Sequence, residues 1–248
     1  MKTIYIMWLR ELKRYFRSKS RMVGSLGQPL LFLLALGYGL GSVFQAAGQG
    51  NYFDFLAPGI IGMSIIFTAI FSGIQLIWDR QFGFLKETLV APVSRFNIML
   101  GRTLGGATVA TLQGVVVFIL AMVFGFRPYS WLAVPVVLVF MLLVALLFTA
   151  LGTGIASLLE DMQGFQLIMN FLVMPLFFLS GALFPLSGLP AVLSGLTIID
   201  PLSYGIDSFR ALLVNSSHFG LPLDFTVLFI VTLAFLAGGS YLFSKIEV

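Results

Sequence analysis

The sequence predicts an all-α integral membrane protein with six transmembrane helices, and three observations predict it. The 248 residues are 59% hydrophobic and 10% charged, with a mean hydropathy of +1.03. A soluble domain carries about 25% charged residues, so this chain lacks the side chains for a water-facing surface. The apolar stretches are long and unbroken rather than alternating, which selects helices over an outer-membrane barrel. Of the fourteen basic residues, seven precede Met22 and four lie between Arg80 and Arg102. They sit beside candidate spans, where positive charge sets topology. The net charge of +4 is therefore a membrane signature, and no nucleic-acid partner is expected. There is no cysteine, which removes disulfides and thiolate metal sites.

Residues 1–21 predict an amphipathic interfacial helix. Tyr5, Trp8, Leu9, Leu12, Tyr15 and Phe16 form an apolar stripe at spacings of three and four, with Arg10, Lys13, Arg14 and Arg17 on the other side. Such a helix lies in the headgroup layer with its cations towards anionic lipid. A signal peptide fits poorly, because the basic region is too long and the next apolar run exceeds a signal core. The first span is expected over 22–44, without a charge. Gly37 and Gly41 there form a small-xxx-small pair that either admits a neighbouring helix or only adds flexibility. A short polar loop through Gln49, Asn51 and Asp54 leads to the second span, 56–78, with Pro58 near its start and Trp78 at the far interface.

The central loop, 79–102, is the one interior run where charges of both signs cluster. Phe82, Leu85 and Leu89 recur at helical spacing, with Arg80, Lys86 and Glu87 on other faces. Pro92 disfavours helix at Ala91, and Ser94 stands ready to cap the next helix. This stretch reads either as a short polar helix that docks a soluble partner or as a connecting loop held in place by its charge.

The third span is expected over 104–126, a turn at Arg127-Pro128-Tyr129, and the fourth span over 131–159, where Gly152 and Gly154 offer close approach to a neighbour. Glu160 and Asp161 mark a polar turn before the fifth span, 163–184, in which Pro175 should kink the helix or free a carbonyl. The Met residues of this span, Met162, Met169 and Met174, read as packing. Residues 185–223 are broken by Pro185, Gly188, Pro190, Gly195 and Pro201, and no run there reaches the roughly 20 residues a span needs. Two short re-entrant helices are expected, near 190–197 and 201–214, with Asp200 and Pro201 as cap and first helical residue. Asp207 and Arg210, three apart, are positioned to pair. The sixth span covers 224–243.

Six spans put both termini on one side. With the amino terminus inside, twelve basic residues fall inside and two, Arg127 and Arg210, fall outside. That asymmetry predicts cytoplasmic termini and a cytoplasmic central loop.

Two runs also carry a resemblance. Lys86-Glu87-Thr88-Leu89, Ala91-Pro92-Val93-Ser94-Arg95 and Gly101-Arg102 resemble the loop after the second span in permeases of the type-2 ABC exporter family. Asp200-Pro201-Leu202-Ser203-Tyr204-Gly205-Ile206-Asp207-Ser208-Phe209-Arg210 resembles a late motif of the same family, in which Asn and Thr often stand at the positions of Asp200 and Ser203. The resemblance implies one permease domain over 1–248. It has a cytoplasmic coupling helix in the central loop and re-entrant helices on the outer side. It also implies a homodimer, or a pair with a similar permease, and a separate ATP-binding subunit that carries ATP and Mg. Asp79, Arg80, Phe82, Leu85, Lys86, Glu87 and Arg95 are then the expected partner-coupling residues. Tyr204, Asp207, Phe209 and Arg210 are expected at an outer gate. The expected location is the plasma or inner membrane of a bacterial or archaeal cell, in contact with membrane lipid.

Absences narrow the function. The predicted spans hold no Asp, Glu, Lys, Arg or His in their interiors, where an ion-coupled carrier usually keeps a titrating or cation-binding group. There is no G-x-x-x-x-G-K-[ST] loop to bind ATP. A transporter with neither must be passive or draw energy from another subunit, and the resemblance implies the second. His218, the single histidine, has no second histidine and no cysteine to work with, and the Asp residues lack a metalloenzyme frame, so no catalytic residue and no metal are expected. Asn215-Ser216-Ser217 matches a glycosylation sequon, which means nothing in a bacterial cell. The expected function is export of a hydrophobic or amphipathic molecule, whether drug, lipid or glycan. A passive channel and an ion-coupled carrier are the alternatives.

Overall fold

The computed structural model of the protein describes residues 2–41, 51–90 and 92–246, without the side chain of residue 21. The expected end of the first span (42–44), Gln49, Ala91 and Glu247 lie outside the described residues. Among the described residues the fold is all-helical, and six helical segments are long and apolar enough to cross a membrane: Met22–Gly39, Tyr52–Gln81, Arg95–Val123, Trp131–Leu158, Met162–Leu179 and Leu221–Ser244. They match the six predicted apolar segments in order.

The helices are α1 (Lys2–Arg17), α2 (Lys19–Gly39), α3 (Tyr52–Phe71), α4 (Ile74–Gln81), α5 (Phe84–Val90), α6 (Arg95–Val123), α7 (Val134–Leu158), α8 (Met162–Leu179), α9 (Ala191–Ile199), α10 (Pro201–Val214) and α11 (Leu221–Ser244). A turn of 3-10 helix, Trp131–Ala133, leads into α7. Three of their starts are capped by a short polar side chain. The Asn51 side chain accepts from the Phe53 N–H at 3.1 Å, Asp161 from Gly164 at 2.6 Å and Asp200 from Leu202 at 2.8 Å, each satisfying a donor the first turn leaves free. Ser94 stands at the start of α6 but makes no side-chain cap. Asn215, with φ 58°, closes α10 in the left-handed conformation.

At the centre is α3, packed against α2, α6, α7 and α10; α11 lies on α7, and α1 lies along α6. In its most apolar stretch the second span is 67% buried, whereas the first, fifth and sixth are 17%, 22% and 17% buried. The outer faces of α2, α8 and α11 therefore keep wide apolar surfaces for lipid or another helix. Gly154 of α7 meets the backbone of Gly239 in α11, the close approach that a side chain would block.

Several boundaries differ from the sequence reading. The second span is longer than expected. It spans Tyr52–Gln81 with a turn at Ser72-Gly73, both in right-handed helical conformation, where Gly73 and Gly152 bring this span and α7 together backbone to backbone. The stripe Phe82, Leu85, Leu89 does not run along one helix. Gly83, with φ +79°, separates α4 from α5, a conformation that suits glycine. Phe82 is left 61% exposed while Leu85 is buried. Pro175 lies inside α8, which continues to Leu179 and ends short of the expected 184.

Candidate functional site

The central loop is built on an ion cluster. Asp79, near the end of α4, is 3% exposed. It accepts from Arg10 and Arg102, and from Arg14 at 3.2 Å. Arg14 also donates to the Gln75 side chain at 3.0 Å and stands 3.7 Å from Glu11. Burial holds the Arg10 guanidinium below its ordinary pKa, and the neighbouring Arg14 charge lowers it further. Arg102 is the most enclosed of the three, its side chain 6% exposed. Three cations from two helices thus converge on one carboxylate, and the geometry ties α1 and α6 to the base of the loop.

This corrects the expectation that α1 turns its cations to lipid. Arg10 and Arg14 face Asp79, and among the cations of α1 named for the polar side only Lys13 and Arg17 are exposed. Gly101 and Gly105 of α6 let α1 settle close, over Met7 and Glu11. Trp8 donates to Thr108 at 3.0 Å and Tyr15 to Gln113 at 2.7 Å. Sequence reasoning missed this set, Arg10, Glu11, Arg14 and Arg102, because it counted every cation as a topology charge. The available signal was one acid at the end of an apolar span, with an i, i+4 arginine pair on α1.

From this base the loop projects outward. Arg80 bridges to Glu160 at 2.7 Å and Gln81 donates to the Glu160 carbonyl at 2.9 Å. Arg95 donates to the Ser244 and Ile246 carbonyls at 2.6 and 2.9 Å, which ties the start of α6 to the end of α11. Leu85 is buried under α5. Lys86 and Glu87 are exposed, as are Phe82, Phe84 and Val90. Of the expected coupling residues, Asp79, Leu85 and Arg95 hold the loop in place, while Arg80, Phe82, Lys86 and Glu87 lie on its outer side. Because Glu160 is 77% exposed at its side chain, Arg80→Ala is expected to cost under about 1 kcal/mol. A thermal melt of the variant checks this.

At the opposite end, Tyr204, Asp207, Phe209 and Arg210 are all buried. Asp207 and Arg210 do not pair as expected. Asp207 accepts from the N–H groups of His218 (2.7 Å), Phe219 (2.8 Å) and Gly220 (3.4 Å) and from the Ser217 hydroxyl (2.9 Å). The loop before α11 thus folds onto that carboxylate and outcompetes the arginine. Arg210 donates instead to the Gly181 carbonyl at 2.9 Å, with its guanidinium 4.0 Å from the Phe55 ring centre. Tyr204 donates to the Ile198 carbonyl at 2.8 Å and stacks on Phe219. These four residues fasten α9, α10 and the 215–220 loop to the bundle.

A family model described as ABC-2 type transporter matches residues 2–214. The chain is 30% identical over 213 residues to nodulation protein J of Rhizobium leguminosarum bv. trifolii, covering 85% of this chain and 78% of that protein. It is 29% identical over 204 residues to nodulation protein J of Rhizobium meliloti, covering 81% and 77%. It is 28% identical over 235 residues to the inner membrane transport permease YadH of Escherichia coli K12, covering 92% and 90%.

Proposed function

Because the chain belongs to the ABC-2 type transporter family, we propose that it is the membrane subunit of an ATP-driven exporter, energised by a separate ATP-binding subunit that carries ATP and Mg. Its cargo is a hydrophobic or amphipathic molecule, leaving the cytoplasm across a bacterial inner membrane. The observation that carries this reading is the design of the central loop. A short helix, α5, shows Lys86 and Glu87 to solvent with Phe82, Phe84 and Val90 around them. Charges of both signs beside apolar side chains suit a protein surface better than a bilayer, which favours cations alone.

The rest of the end is stiff. Asp79 joins α4 to α1 and α6, and Arg95 joins α6 to α11. A push on α5 therefore reaches four helices without first deforming a loose linker. In this reading Arg80, Phe82, Lys86 and Glu87 meet the ATP-binding subunit on the cytoplasmic side. The segment 185–223 forms the outer gate, dipping into the membrane from outside, with Tyr204, Asp207, Phe209 and Arg210 holding it shut. The scarcely buried faces of α2, α8 and α11 leave apolar surface for pairing with a second copy.

The test is co-purification with the ATP-binding subunit encoded beside this chain. The parent protein should co-elute with it, and a Lys86→Glu, Glu87→Lys double variant should lose at least about tenfold in affinity, with an unchanged melt because both side chains are exposed. A parent that never binds such a subunit overturns the reading and favours the passive channel or ion-coupled carrier.

A further inference from the structure

Asp224 stands in the first turn of α11 and is completely buried, yet neither of its carboxyl oxygens receives a hydrogen bond from a described residue. The group it meets, within hydrogen-bond reach, is the carboxyl of Asp207 on α10. Two carboxylates cannot bond to each other, because each only accepts. A buried pair in contact, both ionised, would also be costly.

The surroundings distinguish the two. Asp207 accepts from the N–H groups of His218, Phe219 and Gly220 and from the Ser217 hydroxyl, four donors that suit a charged acceptor. Asp224 has none, and among the described residues no cation pairs with it. Arg210, the single cation of α10, donates to the Gly181 carbonyl and lies over the Phe55 ring. The Tyr204 hydroxyl donates to the Ile198 carbonyl, and Asp200 accepts from Leu202 and Ser203. His218 is exposed, with its ring against Phe219. α7, which packs along α11, carries no titratable side chain. Those of α6, Arg95 and Arg102, lie towards its start, where Arg95 meets the far end of α11.

We propose that Asp207 and Asp224 share one proton, carried on Asp224 and donated to Asp207, and that this bond fastens the start of α11 to α10 and the 217–220 loop. The ligand of this site is the proton itself. Its loss to water leaves two buried anions in contact, with the loop held by one of them, so the join responds to pH. The inference uses the fold alone and is independent of the exporter reading.

Infrared spectroscopy reads the proton directly. The full chain is studied in an alkyl maltoside, which has no carbonyl of its own. Asp200→Asn serves as the background, because it removes the neighbouring buried acid and keeps a capping side chain. This single variant should show the C=O stretch of a protonated carboxyl at neutral pH, and adding Asp224→Asn should abolish that band. An amide at 224 can donate to Asp207 as the protonated acid does, so the double variant should fold. While the folded protein keeps a proton that the unfolded chain has released, stability falls as the pH rises, and it levels off once the folded protein releases the proton too. Relative to the double variant, the single variant should therefore lose about 3–5 °C of melting temperature per pH unit between the ordinary carboxylate range and the pH at which its band bleaches, and nothing further above it.

A single variant without the band, a band that survives Asp224→Asn, or the same pH slope in both proteins overturns the proposal. So does a melt raised by calcium, at fixed ionic strength, only while Asp224 is present, which would make this a cation site. Should the double variant not fold, the single variant alone still decides, since its melt must level off at the pH where its band bleaches.

Discussion

Replacing Asp79 with asparagine is expected to cost about 3–5 kcal/mol and to lower the midpoint of thermal unfolding by roughly 10 °C. The carboxylate is the shared acceptor of Arg10, Arg14 and Arg102. An amide can still accept a hydrogen bond, but it carries no charge, and three guanidiniums are then left facing one another. Arg10 and Arg14, 29% and 30% exposed at their side chains, can swing towards water. Arg102, at 6%, cannot. The cost should therefore fall mainly on Arg102, and Arg102→Met added to D79N should recover more than half of the lost melting temperature. Such a pair is coupled, so the two changes should not add. Purified variants followed by tryptophan fluorescence on heating give the answer. A D79N protein that melts with the parent would mean that the cluster does not hold this end of the bundle.

Gly152→Val is the second large expectation, about 1–3 kcal/mol or more. A side chain on Gly152 would run into the carbonyl and Cα of Ile70, and one on Gly73 would run into the carbonyl of Gly152. These obstacles are backbone, so no rotamer change relieves them, and the helices must part. Because the contact sits where α3 gives way to α4, parting moves α4 and with it Asp79 and α5. The variant should thus lose both stability and recruitment of the ATP-binding subunit, unlike the Lys86, Glu87 double variant, which loses recruitment alone. Gly24→Ala and Gly195→Ala, with nothing within 4 Å of the new atom, serve as controls and should be neutral or gain up to about 1 kcal/mol. A Gly152→Val protein as stable as the parent would show that the helices stand further apart at this point.

Much of the architecture was legible in the chain. Six apolar segments, the short helices Ala191–Ile199 and Pro201–Val214, and the cap at Asp200 all follow from local rules, and the described residues carry them, whereas the side-chain cap expected of Ser94 is not made. Local rules succeed here because a segment's length in hydrocarbon and the free N–H groups of a first turn depend on neighbours in sequence.

The sites were less legible. Asp79 looked like an outward charge and turned out to be the buried centre of a cluster, while Asp207 and Arg210 looked like a pair and took separate partners. Spacing along a helix says which side chains share a face, but not what the face meets. Residues 1–21 were read against lipid, yet the glycines of α6 let α1 settle onto protein instead, and that turned Arg10 and Arg14 inward. By itself, then, the sequence determined the membrane class, the number and order of the apolar helices, and which stretch between them carries charges of both signs. Only the tertiary structure decided which of those charges stay free. A buried carboxylate recruits whichever donors surround it, and contacts as distant in sequence as Asp79 with Arg10 and Arg102 are made by packing, to which local spacing is blind.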